Sequence, residues 1–407
     1  MVTASIFLAI ICPAVLCTTL SRIGLTPTTP SGARLGSIDG LRGYLALLVV
    51  IHHFAVWQVY AQSGIWDLPA NTFLANAGSG GVALFFMVSG ALFYAILDNR
   101  SGHFPFIPIY TSRIFRITPL LWTAVSALFA IGFYRGGSLA GIDIASGLRW
   151  MFLLGMPQMM DSTISREDMA SVLWTLRWEW IFYLSLPAIA FFQRSQPCRG
   201  NRLAFIFALC AVVMLARGAG FGPRPPSFFI LGVLAIEIAK CDKWAKLLRY
   251  KSVAIATIPF GVIAFCSIPS IYSPLGGILL FVIFLPIVAG NDWFGLLSAN
   301  FSRTLGEASY GIYLLHGIVL SVTFHDIGLR TLPEPNRWIY LPIITTATAV
   351  ISLATFVAIE RPAIRLGKNV SYRLSQVLSK APAYPNCQRT LNDGLESVTS
   401  VPPRHIP

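Results

Sequence analysis

Arg42 and His53 lie on one otherwise apolar stretch, Ser37 to Phe54, that reads as a single membrane-spanning helix. Ionisable side chains inside such a segment mark function by default, because each charge must be taken out of water. Eleven residues at about 100° each bring the two back to nearly the same helix face, and the rise sets them roughly 16 Å apart. His52 points away from that stripe. Either residue alone has an ordinary explanation, with Arg42 snorkelling to a headgroup and His53 a satisfied core histidine. The two on one face ask for a functional account.

Composition places that helix in a bilayer. Hydrophobic residues make up 55% of the chain and charged ones 12%, whereas soluble domains carry about a quarter charged residues. The fold class expected is all-α, a polytopic membrane helix bundle of about ten transmembrane helices. Apolar spans read at 37–60, 78–97, 113–134, 172–192, 202–217, 226–240, 251–267, 274–290, 305–325 and 338–360, near the roughly 20 residues that cross the hydrocarbon. Residues 4–20 form a further apolar stretch with no Lys or Arg before it, unlike the basic start of a signal peptide. An extra span and a cleaved segment both stay open there. The expected organisation is therefore an N-terminal apolar segment and basic linker (1–36), a transmembrane domain (37–366) and a disordered cytoplasmic tail (367–407), the last rich in Pro, Ser and Asn.

Charge gives an orientation. Counting alternate connections puts 21 of the 30 Lys and Arg on the side that precedes residue 37 and 7 on the other, with Arg42 and Arg177 inside spans. Cytoplasmic loops hold the excess of cations, so both ends of a ten-span core face the cytoplasm. The net charge of +13 does not point to nucleic acid, because the basic residues flank spans instead of lining one soluble face. The seven cysteines form no CxxC and have no His at ligand spacing, so neither a metal site nor a disulfide framework is expected. The long connection 135–171 carries Asp143, Asp161, Glu167, Asp168 and the apolar run Trp150–Met156. It is a candidate lid or acceptor platform.

Two further groups accompany the Arg42–His53 stripe. Trp174–Glu179 opens a span that enters from the opposite side, which sets Glu179 and His53 each about 10 Å deep, in one layer. His316, nine residues from the same side of its own span, lies at roughly 14 Å. A histidine with a carboxylate in reach makes a general base, the carboxylate orienting the ring while the ring takes a proton from a hydroxyl. The plain alternatives are a Glu179–Arg177 pair and a packing role for His316. Arg113 and Arg116, at i and i+3, present two planar cations on one helix face near Arg42, suited to phosphates. Positive-inside anchoring would account for them equally.

These segments resemble the acyltransferase 3 family of integral membrane O-acyltransferases. Asp39-Gly40-Leu41-Arg42-Gly43 with His53 matches its Arg-x10-His signature, and Phe85–Leu92 its FFxxSGxL segment. Arg113–Trp122 is similar to RxxRxxPLxW, Trp174–Tyr183 to WSLxxExxFY, Leu305–His316 to LGxxSYxxYLxH, and Glu360-Arg361-Pro362 to the closing ExP. The motifs come in family order and cover about 37–366. Thr175 stands for Ser, Ala91 for Phe, and Trp180 where a second acidic residue is common, which excludes a role needing two adjacent carboxylates.

The resemblance implies transfer of an acyl group, often acetyl, from cytoplasmic acyl-CoA to a hydroxyl of a carbohydrate, lipid or secondary metabolite. On that footing Arg42, Arg113 and Arg116 hold the CoA phosphates. His53 acts as general base or takes the acyl group transiently, with Glu179 and His316 beside it, and no metal takes part. A proton-coupled transporter would bury the same His, Glu and Arg, but such proteins usually show paired halves with broken helices, and no repeat is visible. The chain is expected in the bilayer as a multi-pass protein, its particular membrane left open.

Overall fold

The computed structural model describes residues 1–22, 36–98, 104–138, 144–195, 198–218 and 225–380. Fifteen α-helices run through them: α1 (Val2–Arg22), α2 (Gly36–Ser63), α3 (Thr72–Asp98), α4 (Phe106–Tyr134), α5 (Ile144–Met151), α6 (Leu173–Ser195), α7 (Arg199–Gly218), α8 (Pro225–Ala239), α9 (Asp242–Leu248), α10 (Lys251–Val262), α11 (Pro274–Val288), α12 (Asn300–Ser321), the single turn α13 (Glu334–Arg337), α14 (Leu341–Thr355) and α15 (Arg361–Lys380). No strand occurs among the described residues, apart from one isolated bridge, Met159 to Ile164. Wider π turns prolong α10, α12 and α14 at Ile263–Ser267, Val322–Asp326 and Phe356–Glu360.

Among the described residues, six stretches are long and apolar enough to cross a membrane: α1, α2, α3, α4, Asn300–Asp326 and Glu334–Val377. A seventh arises if α9 and the α10 stretch, bent by 73° at their break, count as one. The expected ten are not reached, for a physical reason. α8 and α11 have 15 residues each, about 22 Å of helix against roughly 30 Å of hydrocarbon. α6 has the length, but Arg177 and Glu179 in its first half make it more polar than a lipid-facing span. The orientation drawn from charge depends on the span count and remains a reading of the sequence.

α2, α3 and α12 form the centre of the bundle and are mostly buried, whereas α1 and α4 lie at its edge. α2 packs most extensively against α12 and then α3, and α8 backs α3. The α2–α12 crossing is close because glycines face backbone: a β-carbon on Gly306 would meet the Asp39 carbonyl, and one on Gly43 would meet Leu305. Small residues at such crossings let two backbones approach in lipid. The DGLRG and LGxxSY segments thus carry the crossing that sets their own polar residues in place.

α1 covers the apolar stretch 4–20 and rests on α14 and α12. The stretch expected to be disordered from 367 is helical as far as Lys380, and 381–407 lie outside the described residues. α15 is amphipathic and packs against α4, with Gly367 set on the Phe115 side chain. A polar composition concealed a helix whose single apolar face has a partner.

Candidate active site

Arg42 and His53 both lie on the unbroken helix α2, and they open to different surroundings. Arg42 lines an inner chamber together with Arg113 and Arg116 of α4, Ser89 of α3, Glu179 and Tyr183 of α6, and Ser309, Tyr310 and Tyr313 of α12. A second cavity adjoins it, sharing the walls formed by Arg42, Leu92, Phe93, Arg113 and Arg116. His53 does not line the chamber.

The chamber sets Arg42, Arg113 and Arg116 among the carboxylates of Asp39, Glu179 and Glu360. Arg42 reaches Asp39 at 3.9 Å, a loose pair. Arg113 lies over the Phe93 ring, 5.1 Å from its centroid, and its buried Nε has no hydrogen-bond partner among the described residues. The Ser309 hydroxyl, also buried, has none either. A buried donor left unpaired costs about 1–3 kcal/mol unless water or a ligand meets it. Glu179 accepts from the Tyr183 hydroxyl at 2.6 Å and from Ser89 at 3.2 Å. It is therefore a wall residue of the chamber and not the carboxylate partner of His53. Equal depth along two helices predicts one layer, but the two side chains have different partners: Glu179 bonds Ser89 and Tyr183, and His53 bonds His316.

His53 finds a second histidine instead. Its Nδ1 lies 3.0 Å from His316 Nε2, with the ring centroids 5.0 Å apart. Nδ1 of His53 also contacts the Val49 carbonyl at 3.1 Å, and Nδ1 of His316 the Ile312 carbonyl at 3.1 Å. A carbonyl only accepts, so these contacts assign the proton to Nδ1 on both rings. His53 then donates from Nδ1 to both the Val49 carbonyl and His316 Nε2, and its own Nε2 is left with a lone pair. His316 is fully buried, whereas His53 is partly exposed. His52, next in the chain, is spent on packing: it contacts the Leu74 carbonyl at 2.7 Å and lies against Gly78.

Tyr313 connects the two regions. It lines the chamber, and its ring packs on His316 at 6.1 Å between centroids. The Thr175 hydroxyl donates to the Val172 carbonyl at 2.9 Å and so accepts from the Tyr313 hydroxyl at 2.8 Å. Sequence reasoning assigned Tyr313 and Thr175 to motifs and gave them no role. It likewise named Glu360 only as part of the closing ExP, without a role; Glu360 is fully buried with neither carboxylate oxygen hydrogen-bonded among the described residues and lies within electrostatic range of Arg116 and Arg42. An acid inside a span was the available signal.

At the other end of α12 the connection 135–171 is fastened down. Arg135 donates to Asp168 at 2.7 Å, to Asp326 at 2.7 Å and to Ser321 at 2.8 Å, while Ser321 bonds Asp168. The Met169–Ala170 backbone then sits on Gly317, the residue after His316. Trp150 is buried and donates to the Pro157 carbonyl at 2.9 Å, whereas Phe152 and Leu154 are exposed. Asp143 lies outside the described residues.

Residues 35–357 match the family described as an acyltransferase domain. The chain belongs to the acyltransferase 3 family. It is 25% identical to YrhL of Bacillus subtilis, named provisionally as a peptidoglycan O-acetyltransferase, over 80% of this chain and 54% of that protein. To Nodulation protein 10 of Rhizobium leguminosarum it is 26% identical, over 85% of this chain and 98% of the relative. To the peptidoglycan O-acetyltransferase OatA of Listeria monocytogenes it is 25% identical, over 83% and 56%. The chain thus spans about half the length of YrhL and OatA. No solved structure matches. As an acyltransferase 3 protein with six apolar spans among its described residues, it is a multi-pass membrane protein.

Proposed function

We propose that this acyltransferase moves an acyl group, in the simplest case acetyl, from acyl-CoA on the cytoplasmic side to a hydroxyl of a carbohydrate, lipid or secondary metabolite. The observation that carries the reading is that one helix, α2, joins a chamber lined by three arginines, Arg42, Arg113 and Arg116, to an imidazole whose Nε2 carries the lone pair. Guanidinium groups hold phosphate oxygens with two parallel hydrogen bonds. Arg42, Arg113 and Arg116, one of them with a buried unspent donor, suit that task. Glu179 and Ser89 offer acceptors to the amide N–H groups of a pantetheine arm.

His53 Nε2 takes the proton of the acceptor hydroxyl, and the freed oxygen attacks the thioester carbonyl carbon. The tetrahedral adduct collapses, the C–S bond breaks, and the departing thiolate receives the proton held on His53. An ester and free CoA result. His316, through its Nε2 lone pair, accepts from His53 Nδ1 and holds the ring in the tautomer that leaves Nε2 basic. Because His53 stands outside the chamber, the thioester passes the Tyr313–Thr175 hydrogen bond to reach it. The names of OatA and YrhL put a cell-wall carbohydrate first among acceptors.

Purified protein incubated with acetyl-CoA should release free thiol slowly, faster with a hydroxyl acceptor, and His53→Ala should abolish the release. Wild-type protein that releases no thiol, yet couples solute uptake to protons in vesicles, would make it a transporter.

A further inference from the structure

The cavity that adjoins the chamber holds a cation that no motif accounts for. It measures about 570 Å³ and carries Arg42, Arg113, Arg116, Lys240 and Arg249 against two carboxylates, Asp39 and Asp98. Lys240 is already spent, bonded to Glu237 at 2.6 Å and to Asp98 at 2.8 Å. Arg249 is not. It forms no ion pair among the described residues. Its Nε donates to the Ala289 carbonyl at 2.6 Å, which fixes the guanidinium while the Nη groups keep their donors. The residue follows α9, inside the matched domain but outside the short motifs quoted above, on a wall built with Val288, Ala289 and Gly290.

We propose that Arg249 binds a second anionic group of the donor, the 3′-phosphate of the CoA adenosine, while Arg42, Arg113 and Arg116 take the pyrophosphate. The inference rests on the acyl-thioester reading above and narrows it. Donors that carry phosphopantetheine on a carrier protein have a single phosphodiester and leave Arg249 idle. A nucleotide with phosphates at both ends uses the whole cavity. Holding Arg249 by a backbone carbonyl lowers the ordering cost of the contact.

The test compares acetyl-CoA with 3′-dephospho-acetyl-CoA as donors for the purified full-length protein, before and after Arg249→Ala. A charge-assisted contact is worth about 1.5–3 kcal/mol, roughly 10- to 100-fold. Wild-type protein should therefore show a KM at least about tenfold higher for the truncated donor, and Arg249→Ala should raise the acetyl-CoA KM until the gap closes. Adenosine 3′,5′-bisphosphate should also bind wild type more tightly than 5′-AMP, and Arg249→Ala should lose that preference. Equal KM values in wild type, or an Arg249→Ala effect of the same size on both donors, would overturn the assignment while leaving the acyltransferase reading intact. No turnover with any CoA thioester would remove that reading, and the bisphosphate-against-AMP preference would then decide the subsite alone. Should Arg249→Ala not fold, Arg249→Lys keeps the charge without the Nε contact, and the two donors on wild type remain decisive.

Discussion

The arginine-lined chamber and the histidine pair share helix α2, yet the chamber keeps buried donors unspent whereas the pair closes on itself. In the chamber, Arg113 Nε and the Ser309 hydroxyl have no hydrogen-bond partner among the described residues, and Arg42 holds Asp39 only at 3.9 Å. At the pair, every ring nitrogen except His53 Nε2 meets a carbonyl or the other ring. A site that keeps buried donors unspent can give them to a ligand's acceptors. A site that spends all but one lone pair fixes where a single proton goes. The two should therefore fail differently when cut.

The largest effect is expected at the one free nitrogen. His53→Ala should lower kcat by about 10²–10⁴-fold, the usual contribution of a general base, with little change in donor KM. Arg42→Ala should do the reverse, raising donor KM roughly 10- to 100-fold for a lost charge-assisted contact and moving kcat less. Thiol release measured against donor concentration separates them. If both variants move kcat alike, the division into a holding region and a reacting region is wrong. His316→Ala comes next, at about five- to tenfold in kcat, because it removes one hydrogen bond of about 1 kcal/mol while Val49 still restrains the His53 ring.

Much of this arrangement was legible because helix periodicity fixes depth and face. It put Arg113 and Arg116 together near Arg42, where the three line one chamber, but the shared stripe it gave Arg42 and His53 does not bring His53 into that chamber. It could not give the rotation of one helix about its axis relative to another. His53 and Glu179 were matched by depth, and that rotation decides that Glu179 meets Ser89 and Tyr183 while His53 meets His316. The count of ten spans is not confirmed for a related reason: α8 and α11 are apolar but short and α8 packs on α3, and hydropathy alone does not tell protein from lipid. Arg249 was read as one of many inner-side cations, since nothing in a sequence says which of them lacks a carboxylate.

The smallest effect bears most directly on whether the two regions are separate. Tyr313 and Thr175 line the chamber and are joined by a 2.8 Å hydrogen bond, worth about 0.5–1.5 kcal/mol net, while the Tyr313 hydroxyl also lies 3.5 Å from the Val172 carbonyl. Tyr313→Phe removes that bond and keeps the ring on His316 and Phe85, so transfer to an acceptor should change no more than a few-fold. What should rise is thioester loss to water without acceptor, because the wall then opens before an acceptor is in place. Thr175→Val removes the same bond from the other side, so the double variant should leak no more than either single one; partners in one contact are not additive. Additive losses of transfer, with hydrolysis unchanged, would make Tyr313 and Thr175 ordinary packing. The thioester would then need another way to His53, and the boundary between the holding and the reacting region would have to be drawn elsewhere.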